Sequence, residues 1–359
     1  MRKRLLAVVL VIAGLSLAAC GQAQDGEAFR VAFIYIGEPG DLGWTYEHEQ
    51  GRLAVEEQFG DQVETTTVES VEEGPDSARV MRNLADEGYD AIFATSFGYM
   101  EYMHEVAAEY PDVYFEHCSG YMTRDNMATY FGRMYQPRYL SGIVAGSMTE
   151  ENIIGYVAAF PIPEVIRGIN AFTLGVRSVN EEAEVRVVWT NTWYDPTVER
   201  EAAESLLDAG ADIIAQHQDT TKPQEAAQER GALSIGYDSD MAQFVGDTVL
   251  CSPVWNWGTY YTDTIEDMLN GDWQSHQIWG GVNTGIVKLS ELSPLVPEDV
   301  ADQVDEVRQS IIDEEFHVFE GPINDQDGNV AVEDGEALTD EEMLNMDWFV
   351  EGVVGEISN

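Results

Sequence analysis

Apolar residues change their spacing at regular intervals along the chain. Phe29–Ile36 is a near-continuous apolar run that stops at Gly37-Glu38-Pro39-Gly40, the pattern of a strand buried on both faces. From Thr45 to Phe59 the apolar positions follow helical spacing and end at Gly60. Val63–Val68 predicts a strand, Ser77–Glu87 a helix closed by Gly88, and Ala91–Thr95 a strand. A helix from Gly98 through Tyr110 and a strand over Val113–Cys118 follow. Strands alternating with helices of this length predict βαβ units and a parallel sheet.

Near residue 150 the alternation restarts. Ile153–Ala158, Val185–Trp189, Ile213–Ala215 and Leu233–Tyr237 read as strands, and Pro163–Arg177 and Pro196–Ala209 as helices. The fold class expected is therefore α/β, with two Rossmann-like lobes over 29–150 and 151–249. Val249–Trp255 and Ile286–Leu289 are natural crossings between them, returning about 250–275 to the first lobe and about 276–359 to the second. The tail from Val300 reads as helical and acidic, with a turn at Asn324-Asp325-Gln326-Asp327-Gly328 whose spacing is wrong for an EF-hand. In open α/β sheets ligands bind beyond the carboxyl ends of the strands, and two facing lobes can close on a solute by a hinge. The site is thus expected on loops 37–46, 96–99, 160–163, 190–195, 216–221, 238–240 and 252–257.

The first twenty residues carry a different message. Met1-Arg2-Lys3-Arg4 precedes an apolar run from Leu5 to Ala13 and then Leu17-Ala18-Ala19-Cys20, which describes a secretory signal over 1–20. Its last four residues look like a bacterial lipobox, with Cys20 lipidated and residues 21–28 a tether. Export to the outer face of the cytoplasmic membrane or the periplasm, anchored by lipid, follows from that reading. The formal net charge is −48, from 66 acidic residues against 18 basic ones. Such a surface repels nucleic acid and anionic headgroups. Beyond the signal the only lysines are Lys222 and Lys288. An acidic, lysine-poor surface suits screening by concentrated salt, so a halophilic setting is expected. The unfolding midpoint should then rise from low to molar salt, and equal midpoints would contradict this reading. Cys118 and Cys251 could pair in an oxidising compartment or remain buried thiols.

The cleft loops are rich in aromatic, amide and carboxylate groups: Asp41 to Tyr46, Ser96 to Tyr99, Phe160-Pro161, Trp193-Tyr194-Asp195, Gln216 to Thr220, Asp238 and Trp255-Asn256-Trp257. Indole and phenyl faces stack on planar heterocycles at about 1–3 kcal/mol per base. Buried Asp and Asn read donor and acceptor edges, where a mismatch is costly. A planar, hydrogen-bonding solute is the reading these loops favour, although sugars also stack on indoles.

The lipobox, the segment Gly40-Asp41-Leu42-Gly43-Trp44-Thr45-Tyr46, the Tyr130-Phe131-Gly132 segment and the run Pro137-Arg138-Tyr139-Leu140-Ser141-Gly142 resemble the basic membrane protein family. These are substrate-binding lipoproteins of ABC importers, related to purine nucleoside receptors. The resemblance implies a type I periplasmic-binding-protein fold, a purine-class ligand, an ABC permease as partner and no cofactor. Two departures matter. Gly43-Trp44-Thr45 stands where the nucleoside receptors have Ser-Phe-Asn, and Ser252 is followed by Pro253-Val254-Trp255 instead of leading to a lysine. Fewer ribose partners and more indoles favour a free base, adenine-like, over a nucleoside. Carried onto this chain, Trp44, Phe97 and Trp193 are expected to stack on or enclose the ring. Asp219 and Asp238 are expected to accept from its N–H groups, and Trp255 and Asn256 to close the pocket. Asp238 could instead cap the helix begun by Ser239-Asp240, and Asp41 is read as the cap of the helix from Trp44.

No Gly-x-Ser-x-Gly elbow, P-loop lysine or zinc-ligand spacing is present. A monomeric binding protein, not an enzyme, is the expected class. A nucleoside hydrolase and a chemosensory ligand-presenting protein are the alternatives.

Overall fold

The computed structural model describes residues 28–357, so the leader, Cys20 and most of the tether lie outside the described residues. The chain begins with β1 (Phe29–Ile34), α1 (Trp44–Phe59), β2 (Val63–Val68), α2 (Pro75–Asp86), β3 (Ala91–Ala94), α3 (Met100–Glu109), β4 (Tyr114–Cys118) and β5 (Met127–Gly132). It continues with α4 (Tyr135–Met148), β6 (Ile153–Ala158), α5 (Pro163–Val179), β7 (Glu184–Trp189), α6 (Pro196–Asp208), β8 (Ile213–His217), α7 (Lys222–Glu229), β9 (Leu233–Ile235), α8 (Ala242–Val245) and β10 (Val249–Cys251). β11 (Pro253–Trp255), α9 (Trp257–Asn270), β12 (Gln277–Gly280), β13 (Val287–Leu289), α10 (Glu298–Ile312), β14 (Ile323–Asn324), β15 (Val330–Val332), α11 (Asp340–Leu344) and β16 (Val353–Val354) complete it.

Two parallel six-stranded sheets result, ordered β12-β5-β4-β3-β1-β2 and β10-β9-β8-β6-β7-β16. The central strands are buried on both faces, which is why they read as continuous apolar runs. Helices cover each face. In the first lobe Trp257, Tyr261 and Ile265 of α9 join Val55 of α1 on one side, and Met81 of α2 and Met103 of α3 fill the other. In the second lobe α4, α5 and the tail share one core, and α6 and α7 share another.

The lobe boundary differs from the expectation of residue 150. The chain leaves the first sheet after Gly132, and α4 lies in the core of the second lobe against α5. Glycines permit that close approach. A Cβ on Gly142 would stand 2.9 Å from the Val176 nitrogen and nearer still to the Phe172 carbonyl. Gly142→Ala should destabilise the second lobe by about 3 kcal/mol through overpacking, read as a lower urea midpoint. The expected Val249–Trp255 strand is two strands: β10 runs parallel to β9, and after Ser252 β11 pairs antiparallel with β13 as the crossing ribbon. The return to the first lobe extends past 275, because β12 adds to that sheet beside β5. Only α10 and the short α11 make the tail helical. β16 ends it at the edge of the second sheet beside β7. The expected turn is present, with Asp325 Oδ1 accepting from the Asp327 and Asn329 N–H groups.

One buried acid ties α9 to the first sheet. Glu116 on β4 accepts from the Tyr260 hydroxyl (2.7 Å) and from Trp273 Nε1 (2.8 Å). Burial pushes its carboxyl up to about 7, against those two hydrogen bonds. A folded-state value above the unfolded one means stability present below the unfolded value and lost as pH rises through about 7. Wild-type stability relative to Glu116→Gln should therefore fall between about pH 5 and pH 7 and level off above. Denaturant midpoints across that range check it, and a pH-independent difference would contradict it.

Candidate functional site

The carboxyl ends of the central strands of both sheets deliver their loops to one interlobe cleft, and the lobes touch across it. Ser239 Oγ, from the loop after β9, donates to the Leu42 carbonyl (2.5 Å) in the loop after β1. Gly43 lies against Asp219, so a Cβ there would stand 2.8 Å from Asp219 Cα and nearer still to its carbonyl oxygen. Tyr46 meets Phe244 edge-on at 5.7 Å. The conformation is closed.

Asp41 shapes the first loop. Its carboxylate accepts from the backbone N–H groups of Gly43, Thr45 and Tyr46 (2.8–3.0 Å), opening α1 as its reading as a cap requires. That turn points Trp44 into the cleft, where its Nε1 donates to the Thr95 carbonyl (2.9 Å) beyond β3. The Trp44 ring stands edge-on to Trp255 (5.6 Å, 88°). Trp255 is buried, stacks on Trp257 (4.6 Å, 10°), and donates from Nε1 to Asp238 Oδ1 (2.8 Å). One continuous wall thus runs from the first lobe through the crossing ribbon to Asp238 in the second.

Asp238 is only 1% exposed and adopts a left-handed backbone (φ 63°). Its Oδ2 is buried without a protein partner. It does not cap α8, whose first turn follows Met241. Asp219 is half-buried, and its N–H donates to the Trp193 carbonyl (3.4 Å). Burial raises both carboxyls well above the usual range. Asp238 raises Asp219 further, while the Trp255 N–H and the Arg138 guanidinium oppose the rise at Asp238. Trp193 is 41% exposed at the cleft rim and packs edge-on against Phe160 (5.1 Å, 61°).

Trp44, Trp193, Asp219, Asp238 and Trp255 are therefore brought together. Phe97 follows β3 at the cleft edge but is 56% exposed and makes no ring contact among the described residues. Asn256 spends its donor side within the protein. Its amide donates to Thr259 Oγ1 (2.7 Å) and the Gly285 carbonyl (2.9 Å), so it ties the crossing segments together and has no free N–H pair to offer a solute. Trp255 also departs from a pocket-closing role, since it is fully buried as part of the floor.

Residues not singled out beforehand complete the floor. His48 stacks on Trp257 (4.9 Å, 4°) and pairs through Nδ1 with the Tyr261 hydroxyl (2.6 Å). It follows Trp44 by four residues, the helical spacing that places both on one face. The Arg138 guanidinium lies 3.7 Å from the Tyr237 ring centroid, beneath Asp238. A lone charge in an otherwise apolar helix is its sequence signal. Cys118 and Cys251 are buried free thiols. No group of three or more His, Cys, Asp or Glu suited to a metal occurs among the described residues.

Comparison with known proteins gives consistent relatives. Residues 28–320 match the family model described as Bmp, ABC transporter substrate-binding protein PnrA-like. A purine-binding protein of Brucella abortus (strain 2308) is 44% identical over 96% of this chain and 98% of its own length. A Haloferax volcanii protein, provisionally named an ABC transporter glucose-binding protein, is 46% identical over 94% of this chain and 83% of its own length. The structure of an ABC transporter solute-binding protein from Conexibacter woesei DSM 14684 superposes with a TM-score of 0.71 at 21% identity, covering 81% of this chain and 98% of that one. This last likeness shows the two-lobed fold.

Proposed function

The chain belongs to the Bmp family of PnrA-like ABC transporter substrate-binding proteins, and from that premise we propose that it captures a purine base, adenine-like, in the interlobe cleft and passes it to an ABC permease. It acts outside the cytoplasmic membrane as a Cys20-anchored lipoprotein and performs no chemistry on its solute. Intact mass of the membrane-bound protein, with or without a diacylglyceryl group, tests the anchor.

The observation that carries the ligand reading is Asp238 Oδ2, a buried acceptor with no protein partner at a closed interface. Buried acceptors are costly unless satisfied, so a solute N–H is the natural complement. Asp219 adds a second carboxyl. Burial makes both carboxyls harder to ionise than in water, so each gains from a hydrogen-bonding partner brought by a solute. Ring and exocyclic N–H groups, as on adenine, complement such carboxyl oxygens. Trp44 and Trp193 supply flat apolar surface for the ring.

A sugar is the second reading, favoured by the name of the Haloferax volcanii relative. Thermal shifts with adenine, guanine, hypoxanthine, adenosine and glucose separate the two. A solute at a hundred times its Kd adds about 2.7 kcal/mol to stability. Adenine should give the largest shift; a shift from glucose with none from the purines would overturn the proposal.

A further inference from the structure

Two guanidiniums are buried beneath the cleft floor with no carboxylate in direct salt-bridge contact. Arg138 on α4 is wholly buried and Arg167 on α5 nearly so. Arg138 Nη1 donates to the Gln216 carbonyl (2.6 Å) and Arg167 Nη1 to the Met343 carbonyl (2.7 Å). Neither has a carboxylate within 4.0 Å among the described residues. Arg138 Nε and Nη2, the Tyr156 hydroxyl and His217 Nδ1 are all buried without a hydrogen-bond partner.

Three of these atoms converge at one point. Gly168, on α5, has no side chain, and a Cβ built there would stand 3.7 Å from Arg138 Nε, 3.7 Å from His217 Nδ1 and 3.8 Å from the Tyr156 oxygen. Those are ordinary contact distances, so the three polar atoms face the open side of Gly168 without crowding it. Every residue around it is buried. His217 is held neutral by burial and by the two arginines, so its one ring proton can reside on Nδ1 and face the same point. Asp238 lies above Arg138 without a direct ion pair, and Glu164 lies 3.8 Å from the opposite ring nitrogen, His217 Nε2. They offset the positive charge at a distance and leave the converging donors unmet.

Buried N–H and O–H groups need acceptors, and a buried guanidinium also needs a countercharge. A water could accept two of the bonds but brings no charge. We propose that a halide-sized monovalent anion, chloride under ordinary conditions, binds beside Gly168 between Arg138, Tyr156 and His217 and stabilises the second lobe. The site is independent of which solute the cleft takes.

Two measurements test it. Thermal unfolding is followed in rising sodium chloride, sodium bromide and sodium gluconate at matched ionic strength, for the wild type and for Gly168→Ala, whose methyl occupies the point. The wild type should show a saturable midpoint rise specific to the halides, absent from Gly168→Ala. Bromide-soaked wild-type crystals should show an anomalous peak in contact with Arg138 Nε and the Tyr156 hydroxyl. That second measurement decides the matter even if Gly168→Ala fails to fold. Superimposable halide and gluconate curves for the wild type, or an ordered water without an anomalous peak beside Gly168, would overturn the proposal.

Discussion

Asp238→Asn lowers affinity for the purine by about 100-fold or more while leaving the apo protein at least as stable as the wild type. The substitution keeps an oxygen for the Trp255 Nε1 hydrogen bond and replaces the unpartnered Oδ2 with an N–H donor. Two donors then face each other where the account has a solute N–H meeting a carboxylate. The lost charge-assisted bond is worth about 1.5–3 kcal/mol, and the buried mismatch about 1–3 kcal/mol more. Asparagine also accepts the left-handed backbone at this position (φ 63°), where alanine would be strained. Removing a carboxyl that is hard to ionise in its buried setting relieves the apo protein, the usual trade between a binding site and stability. Calorimetric titration beside a thermal melt checks both halves. Unchanged affinity would remove Asp238 from the site.

Gly43→Ala should have an effect of similar size by a different route. The added methyl collides with Asp219 backbone atoms on the opposite lobe, and backbone cannot turn aside as a side chain can. Each lobe folds as before, but the closed state of Leu42 against Ser239 becomes inaccessible. A receptor whose binding-competent state is depopulated loses affinity in proportion, so a 100-fold loss corresponds to about 2.7 kcal/mol placed on closure. Small-angle scattering should show solute-driven contraction in the wild type and none in the variant. A variant that still contracts and binds normally would show that the Gly43–Asp219 contact plays no part in the liganded state.

The two-sheet architecture and the loops facing the cleft were legible because a parallel strand buried on both faces leaves an unbroken apolar run. Partner choice was not legible. The periodicity of α4 announces a buried helix but not which core buries it, so the chain enters the second lobe earlier than its spacing predicts. The run Val249–Trp255 looks like one strand because spacing does not register a change of neighbour. It is two strands that change sheets at Ser252. The same limit applies within the site. Trp44 and Asp238 follow β1 and β9 in the chain, and the carboxyl ends of those strands give the direction of the cleft. Asn256 sits at an equivalent strand end, yet its amide is consumed by Thr259 and Gly285, contacts distant enough in sequence or ambiguous enough in type to leave no pattern. Arg138 is the one charge in α4, but its stacking under Tyr237 depends on how α4 crosses into the second lobe, which the spacing does not show.

Whether the cleft selects a flat, hydrogen-bonding base over a sugar is decided by calorimetric titration of one preparation with adenine and then with glucose. Adenine should bind saturably in the micromolar range or tighter, about −8 kcal/mol or more favourable, with glucose neither binding nor displacing it. Saturable glucose binding that adenine does not compete with or exceed would contradict that selectivity.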